Sequence, residues 1–66
     1  MVKRVVISME AARRNAKMTQ SEVAKALGIS RNTLSGYETG KVVPTVDIAK
    51  KMAALYGMGI DQINFG

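Results

Sequence analysis

The side chains of this 66-residue chain that could do chemistry are cations, amides and hydroxyls. Cysteine and histidine are both absent, which removes thiolate nucleophiles, disulfides and zinc sites of the usual Cys/His kind. The five carboxylates, Glu10, Glu22, Glu38, Asp47 and Asp61, are scattered. They form no cluster for a hard cation, and no nucleophile has a base beside it. No glycine-rich phosphate loop follows a strand. The expectation is a protein that is not an enzyme and carries neither cofactor nor metal. What remains is positive charge: ten Lys and Arg against five Asp and Glu, a formal +5. That balance suits a polyanion, either nucleic acid or an acidic surface, although solubility alone would also account for it. The most suggestive group is Arg31 and Asn32 with Ser35, a forked cation, an amide and a hydroxyl close together on one short segment.

These groups need a scaffold, and the chain has little to build one from. At this length folding buries only about 60% of the surface. Hydrophobic residues make up 47% and charged residues 23%, an ordinary globular balance. No stretch approaches the roughly 18 apolar residues of a membrane span. The N-terminal apolar run, Val5 to Ile7, is too short for a signal peptide. With the missing cysteines, this agrees with a cytoplasmic location.

The pattern predicts five short helices (residues 8–66) behind an N-terminal arm (residues 1–7). The arm's Val5, Val6 and Ile7 disfavour helix and suit an extended segment. Ser8 is the expected N-cap of the first helix, with Met9, Ala12 and Ala16 on one side. Thr19 to Glu22 reads as a capping box with Met18 as its staple, and Gly28 ends that second helix. Ser30 caps the third, whose inner face is Leu34 and Tyr37 and whose end is Gly40. Pro44 separates it from a fourth helix capped by Thr45, with a stripe of Val46, Ala49, Met52, Ala53 and Tyr56. Gly57 ends the fourth helix. A last helical turn from Ile60 to Phe65 would close the base of the core with Ile60, Ile63 and Phe65. Between Thr19 and Glu38, a helix stops at a glycine and a second begins about three residues later. Ala24 allows a close crossing, Ile29 anchors the turn and Leu34 fills the wedge, as in a helix-turn-helix.

Here the chain resembles the Cro/C1-type helix-turn-helix domains of phage repressors and their bacterial relatives, the xenobiotic-response-element group. The resemblance runs from about Ile7 to Phe65. It is carried by Arg13, by Thr19-Gln20-Ser21-Glu22-Val23-Ala24, by Leu27-Gly28-Ile29-Ser30-Arg31-Asn32-Thr33-Leu34-Ser35, by Tyr37-Glu38-Thr39-Gly40-Lys41, by Pro44-Thr45 and by Leu55 to Ile63. It implies an all-α, compact five-helix lambda-repressor-like domain with the helix-turn-helix in the second and third helices. It further implies sequence-specific binding of double-stranded DNA by a transcriptional regulator, a repressor above all.

The resemblance also implies roles. Arg31, Asn32, Ser35 and Gly36 fall on the base-reading helix, where Arg can fork onto guanine and Asn onto adenine. Gly36 departs from the family pattern, which has a larger polar or basic side chain there. It leaves open either a close approach to DNA or fewer base contacts. Gln20 matches a phosphate-contacting glutamine at a helix start, beside Thr19. Lys17, Arg14 and the loop of Thr39, Gly40 and Lys41 are further expected phosphate neighbours, the loop through its backbone amides and the lysine. Arg13 and Glu38 match a pair that orients the recognition helix; an exposed pair would be worth only about 0–1 kcal/mol. Lys3 and Arg4 leave two roles for the arm, reaching into a groove or strand pairing with a partner chain.

The expected partner set is double-stranded DNA and a second copy of the chain, which would meet around Met58, Ile60, Asn64 and Phe65 to read a two-fold operator. The alternative is a protein-interaction or antitoxin-like module of the same fold.

Overall fold

Four hydroxyl side chains decide where the chain turns helical. A computed structural model describes residues 6–66. Within them Ser8, Thr19, Ser30 and Thr45 each sit in extended backbone and accept a hydrogen bond from the amide three residues on, at 3.1, 3.1, 3.0 and 3.3 Å. They open α1 (Met9–Asn15), α2 (Gln20–Leu27), α3 (Arg31–Glu38) and α4 (Val46–Tyr56). At α2 the box is complete, for the Thr19 amide donates to Glu22 Oε1 at 2.8 Å. That bond holds the Glu22 carboxyl below its usual range.

All four helices also end alike. One residue turns left-handed, and the next amide returns to a carbonyl five residues back: Met18 to Arg13, Ile29 to Ala24, Lys41 to Gly36 and Met58 to Ala53, at 2.9–3.2 Å. This is the Schellman closure. Glycine holds the left-handed position after α2, α3 and α4, but after α1 it falls to Lys17, at φ 59°. The first helix ends at Asn15 with Arg13 and Arg14 in its last turn, and Lys17 falls beyond it.

The core forms where the helices meet. Leu34, Met52 and Val23 are its largest fully buried side chains, joined by Met9, Ala12, Ala24, Leu27, Tyr37, Ala53 and Tyr56. Ala24 is buried where α2 meets α3, and Ile29 and Met18 pack against the cluster from their turns. Val46 is not in the core: it is 65% exposed on the first turn of α4, and the buried stripe begins at Ala49.

The five-helix, all-α expectation is corrected at the C-terminal end. After Gly57 the chain makes a single 3-10 turn (Ile60–Gln62) and then a strand, β2 (Ile63–Asn64). β2 pairs in parallel with β1 (Ile7–Ser8), Ile7 opposite Ile63 and Ser8 opposite Asn64. The turn is closed locally, by Gln62 N–H to the Gly59 carbonyl at 3.0 Å and Gly59 N–H to Gln62 Oε1 at 2.8 Å. Ile63 then goes extended, as a β-branched residue favours, and buries itself opposite Ile7. Ile60 is left 43% exposed rather than closing the core. Ile7 thus belongs to an intrachain sheet, while Lys3, Arg4 and Val5 lie outside the described residues.

The left-handed region costs an L-residue about 1–2 kcal/mol, partly offset in glycine by its greater unfolded-state freedom. Lys17→Gly is accordingly expected to raise the urea midpoint at unchanged slope, a gain of about 0.5–1 kcal/mol. A lower midpoint would mean that the lysine side chain contributes more than its backbone costs.

Candidate nucleic-acid interface

The helix that carries Arg31 and Asn32 is eight residues long, too short to hold its own shape in water. Its inner face, Leu34 and Tyr37, is buried and orients it from below. Arg31, Asn32 and Thr33 are exposed on its first turn, and Ser35 and Gly36 are half-buried. The Thr33 hydroxyl is tied to the Ser30 cap, Oγ1 to Oγ 2.8 Å. Among the described residues, the Arg31 and Asn32 side chains have no hydrogen-bond or ion-pair partner. The two forked groups at the start of α3 are thus available to a ligand.

At the other end of α3 the opposite holds. Glu38 is committed inward, its side chain 4% exposed. Arg13 Nε donates to its Oε2 at 2.8 Å, and Gln20 Nε2 donates to its Oε1 at 2.9 Å. A longer contact runs from Arg13 Nη2 to Oε1 at 3.4 Å, and Arg13 Nη1 donates to the Met18 carbonyl at 3.0 Å. One carboxylate therefore ties α1, the turn after it, α2 and α3 together. The hydrogen bond to Glu38 holds the Arg13 guanidinium even more firmly charged than usual, against the burial that opposes it. Burial overturns the exposed-pair arithmetic. For a desolvated pair, removing one partner costs about 3–5 kcal/mol.

Gln20 was legible as a helix-start residue but not as the third member of this network. Half-buried, it spends one amide hydrogen on Glu38 and keeps a second N–H. Capping-box logic gave no signal of this, because the contact spans 18 residues.

The loop after α3 also differs from expectation. The amides of Thr39, Gly40, Lys41 and Val42 all donate to α3 carbonyls: Ser35, Tyr37, Gly36 and Gly36 again, at 2.9–3.3 Å. The Thr39 hydroxyl turns back to the Ser35 carbonyl at 2.9 Å. The closure of the helix consumes the donors that were expected to face phosphate. What the loop still presents is the exposed Lys41 side chain.

Lys17, Thr19 and Arg14 are exposed, and Arg14 is shared with Glu10 in a 3.0 Å surface pair. Of the residues expected at a subunit contact, Ile60 and Asn64 are exposed, while Met58 and Phe65 are half-buried against the core. Among the described residues no group of three or more acidic side chains could hold a metal, and no helix is long and apolar enough to cross a membrane.

Comparison with known proteins accords with this geometry. The helix-turn-helix family profile matches residues 9–63. An uncharacterized HTH-type transcriptional regulator of Methanocaldococcus jannaschii is 41% identical over 46 residues, 70% of each chain. The cryptic phage CTXphi transcriptional repressor RstR of Vibrio cholerae is 35% identical over 70% of this chain and 41% of its own. An uncharacterized HTH-type transcriptional regulator of Archaeoglobus fulgidus is 39% identical over 70% of this chain and 65% of its own. The match thus leaves more than half of the repressor's length uncovered.

Two outcomes test the buried network. Arg13→Ala is expected to cost about 3–5 kcal/mol in chemical denaturation, whereas Arg13→Met with Glu38→Leu recovers most of that loss. A single-variant cost under about 1 kcal/mol would rule out a bracing role. Tyr56 supplies the second. Its buried hydroxyl has no hydrogen-bond partner among the described residues. Burial, reinforced by the Glu38 charge, pushes its pKa up to about 12 from the ordinary 10.0. A raised folded-state value means that its contribution is intact below pH 10 and is lost as pH climbs toward 12. Tyr56→Phe should leave neutral-pH stability equal or better and flatten that alkaline decline, followed by circular dichroism.

Proposed function

The chain belongs to the Cro/C1-type helix-turn-helix family of transcriptional regulators, and from that premise we propose that it reads double-stranded DNA by laying the first turn of α3 in the major groove. The observation that carries this assignment is the contrast along α3. Its start offers Arg31 and Asn32 without internal partners, while its end is fixed by Glu38. A reading helix needs both properties, since base contacts fail if the helix can pivot.

In this reading Arg31 forks onto guanine O6 and N7, Asn32 onto adenine N6 and N7, and Ser35 makes a shorter contact. Phosphate is held by Lys17, Arg14 and Lys41 and by the start of α2. There the Gln20 and Ser21 amides, which the capping box leaves unused, and the second N–H of Gln20 face the anion, with Thr19 at the cap. Two copies would read a two-fold operator with half-sites about 34 Å apart. They would meet through Met58, Ile60, Asn64 and Phe65, of which Ile60 is the exposed apolar residue. The cytoplasm is where such a protein meets its DNA. Repression fits the relative named as a phage repressor.

Selection from a random duplex library at near-physiological salt is the test, and a single two-fold motif is the expected product. On that motif Arg31→Ala or Asn32→Ala should cost about 1–3 kcal/mol and leave binding to random DNA nearly unchanged. Lys41→Ala should weaken both and reduce the salt slope by about one unit. Retention of bulk DNA without enrichment would reject base reading; no retention at all would favour a protein partner.

A further inference from the structure

The reading face of α3 has a gap, and the structure fills it from outside the helix. Leu34 and Tyr37 mark the buried side. At about 100° per residue, Asn32 and Gly36 share the opposite side, one turn apart. A side chain at Gly36 would project outward beside Asn32, but there is none. A methyl group placed there would lie 3.8 Å from Val42 Cγ2, in ordinary contact. One Val42 methyl therefore lies within contact range of the place where a side chain at position 36 would emerge.

The placement is anchored. The Lys41 and Val42 amides both donate to the Gly36 carbonyl, at 2.9 and 3.3 Å, and the Thr39 hydroxyl reaches it at 3.4 Å. With the backbone held, a β-branched side chain has few rotamers left. Yet Val42 is 54% exposed. One methyl lies beside the position-36 site, Val42 also lines a groove with Tyr37 and Phe65, and apolar surface is left exposed beside α3.

We propose that Val42 is a specificity-determining residue of the DNA interface and offers this surface to the C5-methyl of a thymine next to the bases read from Asn32. The proposal rests on the DNA-binding reading above. On the major-groove edge the thymine methyl is the one apolar group. Guanine O6 and N7 or cytosine N4 in the same place would lose water to a surface that cannot hydrogen-bond them. The missing side chain at position 36 thus exchanges a polar contact for an apolar one.

The test is a cycle of two protein forms and two duplexes, which separates this contact from any effect of Val42 on folding or assembly. In the operator recovered by selection, each thymine is replaced in turn by uracil, which lacks only the methyl. Affinities are measured for the wild-type chain and for Val42→Ala. At one thymine per half-site, uracil is expected to weaken wild-type binding roughly three- to tenfold, about the effect of one buried methyl group. Val42→Ala should bind the thymine duplex weaker by a similar factor and be indifferent to uracil there. Equal losses on both duplexes, or no uracil-sensitive position, would overturn the proposal while leaving the DNA reading intact. Failure of the wild type to prefer any sequence would overturn both.

Discussion

A carboxylate almost removed from water is the constraint around which this small domain is arranged. Glu38 ends a helix that contributes only Leu34 and Tyr37 to the core. Burying an ionised carboxylate is costly unless its oxygens are matched. Here Arg13 and Gln20 match them from two other helices, and the Met18 carbonyl takes a third donor of Arg13. The arrangement is a poor source of net stability, since an apolar substitute would often do as well. Its value is geometric. A hydrophobic contact tolerates sliding, but a network with defined donor directions does not. Three helices of seven or eight residues therefore share one orientation.

Local signals bracket that network. Each helix is opened by a hydroxyl cap and closed by a left-handed residue, so every segment is delimited before tertiary contacts form. The opening signals are all readable in the sequence, because Ser and Thr at an N-cap act through amides three residues away. The closing signals are readable where glycine marks them. They fail at Lys17, where a residue with no preference for the left-handed region adopts it. The bonds that hold it there, from Lys17 to the Arg14 carbonyl and Met18 to that of Arg13, involve backbone only and leave no compositional trace.

The parts of the site that were not legible share one cause. The family resemblance implied Arg13 with Glu38, but not its burial or its dependence on Gln20, since both follow from how α1 and α2 cross α3. The amides of Thr39, Gly40 and Lys41 were expected to serve phosphate, whereas the closure of α3 needs them first. The C-terminal turn became a strand because Ile7 supplies a pairing partner 56 residues upstream of Ile63. Periodicity cannot report such a partner. Within a span as short as Ile60 to Phe65, where helix propensity amounts to little, tertiary pairing wins.

The same economy bears on how the protein would hold DNA. Of its positive groups, Arg13 is consumed inside and Arg14 is shared with Glu10. In the proposed mode of binding, the polar reading group on α3 reduces to Arg31, Asn32 and Ser35, with no side chain at Gly36. Three side chains on one small module imply a modest affinity per half-site, since single modules bury only about 600–1,000 Å² on DNA. Two circumstances compensate. The bracing by Glu38 sets the helix orientation before DNA arrives, so less ordering is charged against binding. In the proposed two-fold assembly, joining two modules on one duplex would make the second contact intramolecular and raise affinity without any new base contact. In the proposed mode of binding, a reading face this sparse would therefore gain most from a second copy on the same duplex.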